Sequence, residues 1–249
     1  MVTMILQSRR IAGGFIPKPA HRKGVFGKME CCMTTHLFDL SHTLAAPLLE
    51  NTEYPWEALD GLSAFLYQLG ENLPADEYDQ PQPGVWVAKD AKVAPTALLS
   101  APCIIGHGAE VRHCAFIRGS ALVGDGAVVG NSVELKNCIL FDKAQVPHFN
   151  YVGDSVLGYK AHLGAGSVTS NLKSDKSLVQ IKAEGQVLDT GRKKLGALVG
   201  DEAEVGCNSV LCPGSVLGRG CQVYPTSCVR GLVPAGHIFK APGNLVKRV

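Results

Sequence analysis

One histidine follows a proline in a polar stretch of an otherwise plain, aliphatic chain. His148 comes directly after Pro147, whose ring restricts the local backbone. A neutral imidazole with a pKa of about 7 is the commonest general base in enzymes, so proton abstraction is one possible chemistry here. A single histidine beside a turn can equally be an ordinary surface residue. The choice between the two depends on which residues surround it.

Several polar residues recur near His148 at intervals close to one turn of a solenoid. They are Glu134, Lys136, Tyr151 and Asn171. A coil of about 18 residues brings distant sequence positions together, so we expect these side chains to lie close to His148. Arg118 lies one such coil before Lys136. Two stacked cations that face one cleft are good phosphate ligands, although both could be ordinary solvated charges.

The elements that position these residues follow from an aliphatic side chain at every sixth position. The series is Val87, Val93, Leu99, Ile105, Val111, Ile117, Val123, Val129 and Leu135. This period is neither that of a helix nor that of a single strand, and a short fixed period indicates a solenoid. Three hexads make one triangular coil with the aliphatic residues inside. The pattern is typical of an all-β, left-handed parallel β-helix, and nine hits in one register argue against a β-sandwich.

The ladder is interrupted once before it ends. Its register slips after Leu135, and the hexads stop beyond Asn171 and return at Val199. The intervening residues 172–197 are predicted to be an insertion. Two short apolar runs, 179–182 and 186–188, flank Glu184-Gly185, which predicts a protruding hairpin.

The chain before the ladder divides into two parts. Residues 1–32 are basic and have no clear period, which indicates a disordered or non-native leader, with a targeting peptide as the alternative. Residues 33–84 are predicted to form a short helical cap over the first rung and then a Pro-rich linker. The β-helix domain is predicted at 85–249.

Composition excludes several classes of function. The 24 basic and 22 acidic residues nearly balance, which disfavours nucleic acid and membrane as partners. No apolar run approaches the roughly 20 residues of a membrane span. Six of the nine cysteines replace small hydrophobic residues within hexads, which favours reduced thiols and a cytoplasmic location. No CxxC pair is present to hold zinc.

Three stretches of the ladder carry a family resemblance: 130–136, 147–154 and 163–171. They resemble the acetyltransferase half of bifunctional glucosamine-1-phosphate acetyltransferase/N-acetylglucosamine-1-phosphate uridyltransferase. The similarity is closer to archaeal-type sugar-1-phosphate nucleotidylyltransferases with a C-terminal amino-sugar acetyltransferase domain. In those proteins, segments like Asn171-Leu172 and 190–196 recur. The resemblance covers about residues 85–249.

The resemblance implies transfer of acetyl from acetyl-CoA to the amine of a hexosamine 1-phosphate, without a metal and without a covalent acyl-enzyme. His148 would be the general base. Arg118 and Lys136 would hold the sugar phosphate, and Glu134 would be a polar contact beside them. Tyr151 and Asn171 would orient the sugar and its amine.

The resemblance also implies an acetyl-CoA site and a homotrimer whose sites lie between neighbouring chains. The backbone around Ala165 would lie near the thioester carbonyl, where an N–H group can stabilise an oxyanion. Candidate contacts for the CoA phosphates are Arg192, Lys193, Lys194, Lys247 and Arg248. The basic cluster 192–194 could equally serve only solubility.

Two departures from the family pattern keep other functions open. His162 and Leu172 stand where the bifunctional bacterial type has Asn and Tyr, so His162 is a substrate-site residue that could change the preferred sugar or abolish turnover. No Gly-rich nucleotidyltransferase signature is present. A non-catalytic trimeric partner of a separate sugar-1-phosphate nucleotidyltransferase, such as a UDP-N-acetylglucosamine pyrophosphorylase, is the first alternative. The second is a metal protein like the γ-type carbonic anhydrases.

The carbonic anhydrase alternative depends on four histidines: His107, His113, His148 and His162. A zinc site needs three well-placed nitrogens. His107 and His113 are one hexad apart, which places them on different sides of the triangle. The spacing therefore disfavours a metal site.

Overall fold

In the computed structural model, which describes residues 29–248, short parallel strands stack into a three-sided solenoid. Each side is a column of strands in which every strand pairs with its equivalent one coil away. The predicted parallel β-helix of stacked triangular coils is therefore confirmed. We name the three sides the covered face, the polar face and the apolar face.

The covered face and the polar face contain most of the longer strands. The covered face consists of β2 (Val85–Ala88), β5 (Cys103–Ile105), β8 (Ala121–Val123), the second half of β10 (Glu134–Leu140), the second half of β12 (Tyr151–Leu157), β17 (Ala197–Val199), β20 (Ser215–Leu217) and β23 (Leu232–Val233). The polar face consists of β3 (Lys92–Val93), β6 (Glu110–Val111), β9 (Val128–Asn131), β11 (Gln145–His148), β13 (His162–Leu163), β18 (Glu204–Val205), β21 (Gln222–Val223) and β24 (His237–Ala241). A final strand, β25 (Asn244–Lys247), pairs antiparallel with β24.

The apolar face is built from shorter pieces. It consists of β4 (Leu98–Leu99), β7 (Phe116–Ile117), the first halves of β10 and β12, β14 (Val168–Thr169), β19 (Val210–Leu211) and β22 (Cys228–Val229). The aliphatic hexad residues from all three faces point inward and form one continuous core, which is fully buried from Ile105 to Leu217. Alternate residues along each strand point outward.

The register slip has a structural cause. Six positions separate Ile117 from Val123, but only five separate Leu135 from Leu140, although both pairs occupy the same two faces. The corner between the apolar and covered faces is therefore shorter in these coils, so β10 and β12 continue through it as single strands. Asn137 and Asp154 take the left-handed conformation there, with φ of 48° and 49°. Asn and Asp adopt this conformation more readily than most residues.

The predicted short N-terminal helical segment is confirmed, but its helices lie along the side of the solenoid instead of over the first rung. Three α-helices, α1 (Thr34–Leu37), α2 (Ala46–Leu49) and α3 (Ala58–Gly70), alternate with 3-10 helices at Glu30–Cys32, Leu40–His42 and Pro55–Glu57. Apolar residues of α3 such as Leu62 and Leu66 belong to one buried cluster with Ile104 and Ile139, which point outward from the covered face. A face that is aliphatic on both sides must be covered over several coils. The open end of one triangle offers less apolar surface.

The segment predicted as a Pro-rich linker contains a β-strand. Residues Tyr78–Gln82 form β1, which pairs antiparallel with β2 and has a register irregularity between Asp79 and Gln82. Proline is tolerated at an edge strand or a bulge because a backbone donor is not needed there, and Pro81 lies within this irregularity. The segment therefore starts the sheet.

The predicted hairpin in the insertion is present, but it does not protrude freely. Strands β15 (Gln180–Ala183) and β16 (Gln186–Asp189) pair antiparallel. Val179 and Ile181 are fully buried in the same apolar cluster as α3. The insertion leaves and rejoins the solenoid at the corner between the apolar and covered faces, and the coils on either side of it pair directly, as Val156 does with Leu198.

The predicted leader lies largely outside the described residues. Its last part is packed, however, because Met29 and Cys32 are buried among the helices. The boundary between leader and folded chain therefore falls before residue 32. Among residues 29–248, no helix has both the length and the hydropathy needed to cross a membrane.

Candidate functional site

A group of polar side chains occupies the corner between the apolar and covered faces, and we call it the corner cluster. It consists of Arg118, Glu134, Lys136, Asn137, Tyr151, Asp154 and Asn171. Arg118 and Lys136 lie on neighbouring coils, as their spacing predicts, because the Arg118 N–H donates to the carbonyl of Leu135 at 2.8 Å. Lys136 in turn pairs with Gly153 on the next coil. Arg118, Lys136 and Gly153 therefore occupy equivalent positions on three successive coils, next to the shortened corner.

Each cation of the cluster has a carboxylate partner in the same chain. Arg118 Nη1 lies 2.6 Å from Glu134 Oε1, and Lys136 Nζ lies 3.5 Å from Asp154 Oδ2. Both members of the first pair are partly exposed to solvent, and exposed ion pairs contribute little to stability. An incoming phosphate can therefore compete with Glu134 for Arg118.

Asp154 is the buried centre of the cluster, with 3% of its surface exposed. Besides Lys136, its carboxylate accepts hydrogen bonds from Asn137 Nδ2 at 2.8 Å and from Asn171 Nδ2 at 2.6 Å. Sequence reasoning missed this residue. The available signal was an acidic residue within the apolar strand β12, one coil beyond Asn137.

Tyr151 and Asn171 are joined by a hydrogen bond in which Asn171 Nδ2 donates to the Tyr151 hydroxyl at 3.1 Å. Burial raises the pKa of Tyr151 above its usual value, and the negative charges of Asp154 and Glu134 raise it further. The phenol therefore stays neutral, and its hydrogen is available for donation to a ligand. Asn171 is held at the point where the insertion begins.

His148 lies at the other end of the apolar face, at the corner that joins it to the polar face. Its side chain is exposed, and its backbone N–H donates to Asn150 Oδ1 at 3.1 Å. Asn150 is buried and fixes this corner, because its amide also donates to the carbonyls of Gly164 and Ser167. Sequence reasoning missed Asn150, although asparagine in a turn is a common signal for such bonding. Within one chain, the expected close group is thus divided into His148 and the corner cluster.

His162 does not lie in the corner cluster. It points outward from the polar face, where its Nδ1 atom lies 2.8 Å from Glu204 Oε2, and it is in register with Gln145 of β11. Tyr151 points outward from the apolar face, which is another side of the triangle. Within one chain, His162 therefore shares the polar face with the strand that ends at His148, whereas Asn171 follows a strand of the apolar face.

Ala165 follows His148 by one coil at the same corner. The N–H of Gly166 donates to the His148 carbonyl at 3.0 Å, and the Ala165 carbonyl accepts from Asn208 at 2.8 Å. Within the described part of the chain, the Ala165 N–H has no backbone or side-chain acceptor. This position therefore offers one free backbone donor beside His148.

Arg192 has a structural role that its basic neighbours do not share. Its side chain is only 12% exposed, and its guanidinium bonds to the Asp60 carboxylate and to the carbonyls of Trp56 and Lys194. It thereby ties the insertion to α3. These partners use Arg192 Nε and Nη1, so the predicted contact between Arg192 and CoA stays a prediction, with part of the guanidinium already engaged. The other predicted contacts, Lys193, Lys194, Lys247 and Arg248, are exposed.

The four histidines of the carbonic anhydrase alternative have separate surroundings. Besides His162, His107 lies 3.0 Å from Asp90 and 3.4 Å from Glu77, and His113 lies 2.9 Å from Thr96. In residues 29–248, no three side chains of His, Cys, Asp or Glu converge as a metal site within the chain. All nine cysteines are free thiols.

Comparison with known proteins finds similarity across the coils that hold these residues. The family model described as "GMPPB C-terminal domain" matches residues 99–188. The bifunctional sugar-1-phosphate nucleotidylyltransferase/acetyltransferase of Sulfurisphaera tokodaii is 36% identical over 109 residues, which are 44% of this chain and 27% of that protein. The bifunctional protein GlmU of Methanococcus maripaludis is 34% identical over 98 residues, 37% of this chain and 24% of that protein. The matched part is thus about a quarter of these relatives' length.

Among solved structures, a mutant of AntD, an N-acyltransferase from Bacillus cereus, covers 66% of this chain and 80% of its own. The sequence identity is 14% and the TM-score is 0.37. The similarity to the acetyltransferase-containing relatives therefore rests on sequence. The residues that the family model matches, 99–188, include both His148 and the corner cluster.

Proposed function

We propose that this protein is an N-acetyltransferase that moves acetyl from acetyl-CoA to the amine of a hexosamine 1-phosphate. Glucosamine 1-phosphate and galactosamine 1-phosphate are the candidate acceptors, and the product would enter nucleotide-sugar synthesis in the cytoplasm. The observation that carries the proposal is the corner cluster, in which two stacked cations adjoin a hydrogen-bonded Tyr151–Asn171 pair. The relatives named as acetyltransferases support the reaction type.

The chemical step needs one base and one oxyanion donor. His148 takes a proton from the amine as its nitrogen attacks the thioester carbonyl. The carbonyl oxygen becomes negative in the tetrahedral intermediate, and the free N–H of Ala165 is suited to stabilise it. The C–S bond then breaks and CoA leaves as the thiol, with the proton supplied by His148. No covalent intermediate with the protein is required.

The acceptor is held by the corner cluster. Arg118 can bind the phosphate with two parallel hydrogen bonds, and Lys136 adds a point charge on the next coil. Glu134, released from Arg118, becomes a polar contact for the sugar. Tyr151 donates its free hydrogen to the sugar, and Asn171 faces the amine.

The separation of His148 from the corner cluster within one chain supports a site that two chains complete. The outward side chains of the apolar face include exposed Leu98, Phe116 and Val210, a surface suited to contact a second copy. We propose a homotrimer in which His148 of one chain faces the corner cluster of its neighbour. The exposed Lys193, Lys194, Lys247 and Arg248 are then candidate ligands for the CoA phosphates.

The direct test is CoA release from acetyl-CoA with the two hexosamine 1-phosphates. N-acetylglucosamine 1-phosphate, which has no free amine, is the negative substrate. His148→Ala should lower kcat by about 10²–10⁴-fold, because general base catalysis contributes that much. His237→Ala is the matched control, since His237 bonds only locally to the Ala235 carbonyl.

Two outcomes would contradict the proposal in different ways. Normal turnover in His148→Ala would remove His148 from the mechanism. Absence of CoA release with either hexosamine phosphate would overturn the assigned reaction.

One observation favours a non-catalytic alternative: both cations of the corner cluster are already paired with carboxylates. The protein would then be the trimeric partner of a separate sugar-1-phosphate nucleotidyltransferase. Titration calorimetry with acetyl-CoA distinguishes the two functions. An enzyme should bind acetyl-CoA with measurable heat, and a partner protein should not.

A further inference from the structure

The buried Asp154 has no part in the chemical step proposed above. It lies behind the residues that would contact the acceptor and bonds to three of its neighbours, Lys136, Asn137 and Asn171. An ionised carboxylate can only accept hydrogen bonds. Each neighbour must therefore direct a donor group toward Asp154.

This requirement fixes the orientation of the Asn171 amide. A side-chain amide has an NH₂ group and a carbonyl oxygen, and the two are easily exchanged by rotation. Here the NH₂ group donates to both Asp154 Oδ2 and the Tyr151 hydroxyl, so both of its hydrogens are used. The rotated amide would bring its oxygen against a buried carboxylate and lose the bond, which is costly in a buried position.

The same requirement determines what Asn171 presents to a ligand. Within the described residues, Asn171 Oδ1 accepts no hydrogen bond, and the side chain is half-buried. The group that remains available at this point is therefore an acceptor. A ligand atom placed against it must carry a hydrogen.

Building on the proposed acetyl transfer, we propose that Asp154 is a positioning residue that locks the Asn171 carbonyl oxygen toward the acceptor. The site thereby selects an amine at this point over a group that only accepts hydrogen bonds. Asp154 also keeps the Lys136 ammonium at the corner, beside Arg118. Asn137 supports the arrangement by holding the second carboxylate oxygen.

The test is Asp154→Asn, which keeps the size of the side chain but adds a donor, so that Asn171 is no longer restricted to one orientation. We expect kcat/KM for the amino-sugar phosphate to fall by about 10²-fold, since small displacements of a positioning group cost that much. The KM for acetyl-CoA should not change. In an Asn171→Ala background, the substitution should lose most of its effect, because the two residues act together.

A matched control separates positioning from loss of stability. Asp201 is also buried, and its carboxylate accepts the backbone N–H groups of Asp39 and Tyr159 at a different corner. Asp201→Asn should lower the unfolding temperature without changing the KM for the sugar. If Asp154→Asn does not fold, Asn137→Gly releases Asp154 Oδ1 and keeps the left-handed backbone. It should raise the KM for the sugar phosphate, and an unchanged KM would overturn the proposal.

A readout independent of turnover keeps the two proposals distinguishable. With ¹⁵N-asparagine labelling, the side-chain NH₂ signal of Asn171 is assigned by its disappearance in Asn171→Ala. It should shift in Asp154→Asn and stay in place in Asp201→Asn. An unshifted signal overturns the positioning role of Asp154. If the signal shifts but wild-type protein acetylates no amino sugar, the positioning role stands and the proposed reaction is wrong.

Discussion

The two ion pairs of the corner cluster differ in how easily a ligand can replace them. Arg118 and Glu134 meet at the surface, whereas Lys136 meets a carboxylate that is almost completely buried. Water and salt weaken an exposed pair, and a buried carboxylate loses too much on separation to exchange readily. In the proposed acceptor site, Arg118 would therefore be the adaptable phosphate ligand, and Lys136 would be a fixed charge.

Tyr151 gives a prediction about pH. Burial and the charges of Asp154 and Glu134 raise its pKa above the usual value of about 10, so the hydroxyl stays protonated through the neutral and mildly alkaline range. Tyr151→Phe should reduce kcat/KM about tenfold, the worth of one neutral hydrogen bond. The alkaline limb of the pH–rate profile should keep its position in the variant. A limb below pH 9 that disappears in Tyr151→Phe would contradict this prediction.

For single residues, the sequence predicted which polar side chains stand out more accurately than it predicted which of them contact one another. Spacing brought Arg118 and Lys136 together correctly, because coil length alone determines which positions stack. The same reasoning placed His148 too close to Tyr151, because the chain turns a corner of the triangle between these two residues. Asp154 and Asn150 were missed because residue type signalled only a polar role, whereas their hydrogen-bond partners lie on neighbouring coils.

Among the elements, the helices and the covered face form one structural unit. The middle residues of successive strands, such as Leu122, Ile139 and Leu198, point outward yet are fully buried beneath the helices and the insertion hairpin. Arg192 connects this layer at one side through Asp60 of α3. The helical segment is thus a lateral layer of the domain, and its apolar residues stabilise several coils at once.

Ile139→Ala should destabilise the protein by about 2–5 kcal/mol, because a large buried side chain between the sheet and the helices leaves a cavity. The measurement is the free energy of unfolding from denaturant titration. Val128→Ala is the matched control, since Val128 points outward from the uncovered polar face in the same coil. It should cost less than about 1 kcal/mol. Equal losses in the two variants would show that the helices contribute little.

The hexad pattern predicted the coils and the hairpin but not this lateral layer. The inward positions repeat every sixth residue regardless of what lies outside the solenoid. The overlooked signal was three consecutive apolar residues in the strands of only one face, as in Cys103–Ile105. Such runs indicate a strand buried on both sides. Proline in 74–84 similarly concealed an edge strand.

At the scale of the whole molecule, the three faces have different surroundings. One is covered by helices, one presents charged and amide side chains, and one exposes apolar side chains. On the apolar face, Leu98 is 58% exposed and Phe116 is 36% exposed. Repeated apolar exposure along one flat face is the usual sign of contact with another protein surface.

Phe116→Glu should convert the proposed trimer to monomers, because it places a charge in the contact between copies. Sedimentation velocity measures the mass directly. Gln222→Glu adds the same charge to the polar face and should leave the trimer intact. A trimer that survives Phe116→Glu would show that the copies meet through another face.

The insertion rejoins the solenoid so cleanly that Thr169 pairs with Leu211 as if nothing intervened. Its length and composition can consequently change over evolutionary time without rewinding the spiral. Because the insertion begins directly after Asn171, every change in it alters the surroundings of the proposed acceptor site. Under the proposed function, exchanging this one insertion would change the sugar that a related protein accepts and leave the solenoid itself unaltered.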